Sequence, residues 1–410
     1  MSSAPPSSAP PPSSAPPIVP PARGAAIVLA GAVALAVAMG VGRFAFTPLL
    51  PLMMRDGSLT AASGAAWAAA NYAGYLMGAL TAARIARDPR RGLTWSLVGI
   101  TLTTAAMAWS DRGAGLALGA GLRAASGLFS AWALICASAW CLPDLARRGV
   151  PRLGAWIYTG VGLGIALTGT LAWLGGGQPA DRLWLELGLI SGAGALLVRA
   201  CAGGPRAGPE MPEREAAAMA PAARGRHGAL VLCYGAFGFG YIVPATFLPV
   251  MARALTPDPL VFGLAWPVFG LAAALSVAAA ARWLAGWPRR RVWALAQAAM
   301  ALGTGLPLAV PALWAVIASA VLVGGTFMVA TMAGLQLARE ERPDDPTPLL
   351  ARMTAAFAAG QVAGPLLVRA LGPGRWAGLD ALGWTGAAAA LLLVLTAAWL
   401  GWETRPRFRG

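Results

Sequence analysis

The chain has 410 residues, 58% of them hydrophobic and only 11% charged, too little polar surface for a soluble protein of this length. Its formal charge of +15 is carried by arginine alone on the basic side, in alternate loops rather than on one basic face, so a nucleic-acid interface is excluded. Four cysteines (Cys136, Cys141, Cys201 and Cys233) lack CxxC spacing, and the single histidine, His227, lies in a linker, so neither a metal site, a disulfide framework nor a cofactor is expected, and the thiols read as small packing groups.

Residues 1–24, MSSAPPSSAPPPSSAPPIVPPARG, cannot bury enough apolar surface to fold, and they predict a disordered tail. The stretch ALAVAMG at 34–40 imitates a signal-peptidase site. The preceding tail has only Arg23 as a positive charge and the apolar run continues to Met54, so cleavage is not expected.

From there apolar runs predict twelve spans, at about 25–53, 62–85, 93–110, 114–141, 154–175, 183–202, 229–252, 260–284, 292–310, 312–337, 350–371 and 379–401. An even number returns both ends of the chain to one side. The tails and the loops after even-numbered spans hold twenty-three arginines against six opposite, which places both termini in the cytoplasm. Trp95, Trp109, Trp173, Trp184, Trp283, Trp287 and Trp293 flank the spans as interface anchors. The polar stretch 203–228 divides the chain into six-span halves, 25–202 and 229–402, followed by a cytoplasmic tail at 403–410.

The two halves repeat. AMGVGRFAFTPLLPLMMR (38–55) aligns with AFGFGYIVPATFLPVMAR (236–253), matching Ala38, Gly40, Gly42, Leu50, Pro51, Met53 and Arg55 at an offset of 198. Pro89, Arg90 and Arg91 recur at an offset of 199, and Arg152, Ala155, Gly160 and Gly164 at 200. Parallel six-span copies predict an all-α, polytopic membrane protein whose halves are related by an axis along the membrane normal, with a pathway between them.

These residues carry a resemblance. GVGRFAFTPLLPLMM with AANYAGYLMGAL (69–80), YTGVGLGIALTG (158–169) and GQVAGP (360–365) resemble the bacterial YbfB/YjiJ-like branch of the major facilitator superfamily. The resemblance implies the major facilitator fold, a multi-pass location in the bacterial inner membrane, and a monomeric secondary transporter of a small solute with the lipid bilayer as its surroundings. Drug antiporters of that superfamily carry GxxxDRxGR[KR] after the second span. Here GALTAARIAR (78–87) has Ala82 and Ala83 where the acid and base would stand, so a proton-coupled drug or metabolite exporter is the alternative reading. LRAASG (122–127) keeps the Arg-x-x-x-Gly of the fourth-span motif.

Two arginines fall inside spans, Arg43 and Arg123, at comparable depth between the midplane and the outer leaflet by the rise of a helix. An intramembrane arginine is costly and marks a functional site unless local backbone satisfies it. The structural reading of Arg43 is that it bonds carbonyls freed by the neighbouring glycines and Pro48; the functional reading is that it grips an organic anion through its planar fork. Arg123 carries the same substrate-gripping reading, weighed evenly against the coupling role or structural ion pair that fourth-span arginines of the superfamily it resembles also serve. In the second half Tyr241 replaces Arg43, so the grip would be asymmetric.

Asn71, Gly74, Tyr75 and Gly78 share one helical face that either lines the pathway or packs. Tyr158 and Gln361, on the repeat-related fifth and eleventh spans, are weaker pathway candidates. Glu186, near the outer end of the sixth span, either pairs with an arginine, carries a proton or is solvated. A loop acid such as Asp56 or Asp111 would have to fold inward to couple protons. No clustered nucleophile, acid–base pair or metal-ligand set supports a membrane enzyme, and no appended soluble domain supports a receptor.

Overall fold

The computed structural model describes residues 21–110, 115–202, 227–256, 258, 263–284, 286–342 and 347–402. Most of the expected tails at 1–24 and 403–410, the linker at 203–228 and the loop acid Asp111 lie outside the described residues.

Twelve helical rods follow in chain order. The first, α1, has three successive pieces, an α-helix Pro21–Leu35, a wide π-helical segment Ala36–Arg43 and an α-helix Phe46–Arg55. Next come α2 (Ala61–Ile85), α3 (Pro89–Ala106), α4 (Gly115–Arg147), α5 (Thr159–Leu174, entered through the 3-10 turn Pro151–Tyr158) and α6 (Ala180–Ala202). The second set comprises α7 (Gly228–Leu255), α8 (Ala265–Trp283), α9 (Arg289–Ala309), α10 (Leu313–Glu341), α11 (Thr347–Leu371) and α12 (Ala381–Trp402).

Among the described residues nine of these rods are long and apolar enough to cross a membrane by length and composition. The other three are α2, α3 and α8. Asn71, Tyr72 and Tyr75 dilute α2, four threonines dilute α3, and the apolar stretch of α8 ends at Ala280. Their starts are set locally. Thr60 and Ser63 form a reciprocal capping box at α2, and Asp88 accepts the Arg91 N–H ahead of Pro89 at α3.

Two helices run beyond their expected ends. α4 continues from 141 to Arg147 because Asp144, nearly buried, takes Arg147 at 2.5 Å from its own helix, Arg148 at 3.6 Å from the turn that follows it and Arg90 at 4.0 Å from α3. α10 continues to Glu341, which pairs with Arg290 of α9 at 3.0 Å. The basic cluster that lost its acid at Ala82 therefore regains one from α4, and each half ties a basic helix start to an acidic helix end.

Small residues set the distances between rods. Gly40 lies against the Gly164 backbone of α5, and Gly74 against the Ala124 carbonyl of α4. In the second half Gly238 meets the Phe357 carbonyl of α11, and Gly360 meets the Gly235 carbonyl of α7. The α1–α5 contact thus recurs as α7–α11, as the repeat requires. Across the halves, Gly162 and Gly270 bring α5 and α8 into backbone contact.

Two tryptophans expected at the interface are core residues instead. Trp184 and Trp293 are buried, and Trp293 packs edge-on to Tyr234 at 5.7 Å; Trp95, Trp109, Trp283 and Trp287 remain exposed. Periodicity at a span's end does not distinguish a lipid-facing ring from one turned inward. Of the four cysteines, Cys136, Cys141 and Cys233 are buried and Cys201 is half-buried.

Candidate functional site

The π-helical turn in α1 builds the site. Phe44 N–H donates to Met39 O, five residues back, and Thr47 N–H donates to Phe44 O at 3.1 Å, so the Arg43 carbonyl loses its usual helical donor. Arg123 of α4 fills the gap. Its Nη1 donates to Gly42 O at 3.2 Å and its Nη2 to Arg43 O at 2.9 Å, while Ser126 Oγ donates to Gly42 O at 2.7 Å. Asn71 Nδ2 closes the cluster, donating to Arg123 O at 2.8 Å and Gly42 O at 3.4 Å.

The structural role first assigned to Arg43, holding the freed carbonyls, belongs to Arg123. That leaves Arg43 with a different environment. It is 2% exposed, and its Cζ lies 3.9 Å from the ring centre of Tyr75, 5.5 Å from Tyr72 and 5.3 Å from Phe44. Its Nη2 donates to Tyr241 Oη at 3.4 Å, and its Nε has no partner. No salt bridge to it occurs among the described residues.

Arg43 therefore meets its own repeat mate. Tyr241 also accepts from Gln361 Nε2 and is sandwiched between Phe327 (5.5 Å, 5°) and Phe357 (5.6 Å, 8°). Thr47 Oγ1 donates to Ala245 O at 3.0 Å, Tyr72 Oη and Thr246 Oγ1 share a hydrogen bond of 2.9 Å, and Arg253 donates to Pro51 O. These bonds close the seam between the halves at the C-terminal ends of α1 and α7.

Of the residues expected at the site, Arg43, Tyr75, Tyr241 and Gln361 converge, and Arg123 and Asn71 support them from behind. Gly74 and Gly78 pack on α4, while Tyr75, adjoining them, reaches Arg43. Tyr158 does not join them. It shares a 3.0 Å hydrogen bond with Ser138, fifteen residues or roughly 22 Å along α4 from Arg123. Glu186 pairs with Arg182 of its own helix at 3.5 Å and is part-exposed. Asp56 does not fold inward, because its Oδ2 accepts the Ala180 N–H at the start of α6. Glu186→Gln is accordingly expected to change uptake less than about twofold, measured in proteoliposomes.

Sequence reasoning missed Tyr72, Phe44, Trp266, Phe327 and Phe357. An aromatic inside an apolar run carries no signal that separates core from pathway; only the charge they surround does. A cavity of about 400 Å³ between α8, α9 and α10, lined by Trp283, Trp287, Leu295 and Val329 among others, shares no residue with this cluster.

Residues 35–399 match the sequence profile described as "Uncharacterised MFS-type transporter YbfB". The chain belongs to this family of MFS transporters. The fold agrees. The xylose transporter XylE from E. coli, in an inward-open conformation, superposes with a TM-score of 0.69 at 13% identity, covering 94% of this chain and 97% of that one. The POT family transporter PepTSo gives 0.72 at 12%, covering 94% and 98%, and the nucleoside transporter NupG gives 0.66 at 11%, covering 94% and 100%. No curated protein sequence matches. The YbfB-type chain is thus a multi-pass secondary transporter and not an enzyme; at these identities the solved structures establish the fold alone.

Proposed function

We propose that this transporter moves a small organic anion by alternating access, with α1–α6 rocking against α7–α12 around Arg43. One observation carries the reading: Arg43 is a buried guanidinium without a carboxylate partner among the described residues, and, unlike Arg123 with its two backbone carbonyls, it has one long hydrogen bond, to Tyr241 at 3.4 Å, and an unsatisfied Nε. A buried charge in that condition is held at a cost of several kcal/mol, which an incoming anion relieves. Among the described residues the one buried carboxylate, Asp144, is paired with arginines at the C-terminal end of α4 and lies away from Arg43, which weighs against a cationic-drug exporter coupled through a protonated acid in the core.

We take the protein to lie in the bacterial inner membrane, as its family resemblance implies; the arginine bias supports cytoplasmic termini, which would put the closed end of the seam outside. We take it to act as a monomer, the pathway lying between the halves of a single chain. Proteoliposome uptake of organic anions and of cationic drugs, with and without a pH gradient, tests the reading. Anion uptake lost in Arg43→Ala is expected. Movement of cations only, unchanged in Arg43→Ala, would refute it.

A further inference from the structure

We propose that the anion is an aromatic monocarboxylate, a deduction that rests on the anion-transport reading and sharpens it. The charge count comes first. Among the described residues the buried charged side chains are Arg43, Arg123 and Asp144, and Asp144 is matched by the arginines at the cytoplasmic ends of α3 and α4. Both Nη groups of Arg123 are bound to backbone carbonyls. Its Nε is unpartnered, as is that of Arg43, but with both Nη groups taken and Phe46 over it at 4.9 Å it presents no fork, so one guanidinium is left whose fork a carboxylate can use. It neutralises a single carboxylate, and a second carboxylate on the same molecule would be buried without a partner.

The geometry of that guanidinium sets how the head group binds. Its face is covered by the Tyr75 ring at 3.9 Å, and one corner is engaged by Tyr241. The unpartnered Nε remains, and the edge where a planar carboxylate accepts from an arginine fork pairs it with Nη2, whose bond to Tyr241 is long at 3.4 Å and yields to an anion. The Nε1 of Trp266, a second buried donor without a partner, belongs to a ring 6.2 Å from Phe44, the residue beside Arg43.

The walls determine the body attached to that carboxylate. Phe44, Tyr72 and Tyr75 enclose the guanidinium from the first half. Tyr241, Phe327 and Phe357 answer from the second as near-parallel rings. Phe269 packs on Phe327, and Phe237 and Tyr234 on Phe357, so a flat π-system meets this shell at its ring edges or in offset contact instead of lengthening the stack. A saturated ring of the same size offers no π face and is thicker. Each aromatic pair adds about 0.5–1.5 kcal/mol beyond area burial, so two such contacts give the aromatic acid roughly a tenfold advantage or more over its saturated counterpart. Gln361 Oε1, buried and unpartnered beside Tyr241, offers an acceptor to a ring hydroxyl.

The test uses the full chain, with binding read by thermal shift and calorimetry and transport by uptake of labelled benzoate into proteoliposomes. Benzoate is expected to bind at least about tenfold more tightly than cyclohexanecarboxylate, with terephthalate, a dianion of similar width, failing to compete. Tyr75→Phe is expected to keep the preference and Tyr75→Leu to shrink it severalfold, by lowering benzoate affinity more than that of the saturated acid. Equal affinity for benzoate and cyclohexanecarboxylate overturns the aromatic assignment and leaves the anion reading intact. Tighter terephthalate binding overturns the single-charge count. If no carboxylate binds or moves, while cations do, the anion reading itself falls.

Discussion

Replacing Arg43 with glutamine is expected to lower apparent affinity for the transported anion by at least about 100-fold without lowering the melting temperature of the purified protein. The first half follows from the strength of the lost interaction, because truncating one partner of a buried charge pair costs about 3–5 kcal/mol, and each 1.4 kcal/mol is a factor of ten. The second half follows from what Arg43 does in the unloaded protein. Its charge is 2% exposed and meets no acid among the described residues, so its main compensation is the Tyr75 face, worth about 2 kcal/mol at a desolvated site, against a desolvation cost of several. A neutral amide of similar reach removes the cost and keeps much of the packing.

Arg123→Gln is the informative contrast. Arg123 holds two carbonyls of the π-helical turn at 3.2 and 2.9 Å, and hydrogen bonds from a charged donor contribute about 1.5–3 kcal/mol each. Its loss is expected to lower the melting temperature by several degrees and to reduce transport by unsettling Arg43 from behind. Counterflow in proteoliposomes and thermal unfolding in detergent separate the two variants. If Arg43→Gln melts as early as Arg123→Gln, or still accumulates anion, Arg43 is structural and the anion-gripping reading fails.

That contrast also marks what the sequence disclosed. Twelve spans, their parallel repeat and the two intramembrane arginines were legible, because hydropathy, an offset drifting only from 198 to 200 and a charge in an apolar run are one-dimensional signals. Which arginine served the backbone was not. Both sit near glycines at comparable depth, and the answer depended on a wide helical turn whose extra residue rotates the Gly42 and Arg43 carbonyls toward α4. Composition does not predict such a turn. For the same reason much of the aromatic shell stayed hidden: Tyr75 stood out on its helical face and Tyr72, three residues before it, did not, although both reach Arg43, whereas Tyr158 looked equivalent to Tyr75 and bonds Ser138, roughly 22 Å along α4 from Arg123. Asp144 escaped notice because it follows the end of an apolar run, where only the packed fold shows that three arginines converge on it.

Gly40→Ala is expected to destabilise the protein by about 3 kcal/mol and to remove transport, although the change adds a single methyl group. A Cβ at Gly40 falls on the Cα and carbonyl carbon of Gly164, and one at Gly164 falls on the Ala36 backbone, so neither helix has a side chain that can swing aside. Relief requires α1 and α5 to separate, and packed cores resist such a shift. Arg43 lies three residues beyond Gly40 on the same wide turn, so a displacement of α1 by about 1 Å also carries the guanidinium off Tyr75 and Tyr241. Gly121→Ala is the control. Gly121 is exposed on α4, a Cβ there meets nothing within 4 Å, and the substitution is expected to stabilise the helix by up to about 1 kcal/mol. Thermal unfolding of the two variants side by side decides the matter: equal melting temperatures would mean that the α1–α5 contact does not set the spacing, and that the position of Arg43 is held by the α4 hydrogen bonds alone.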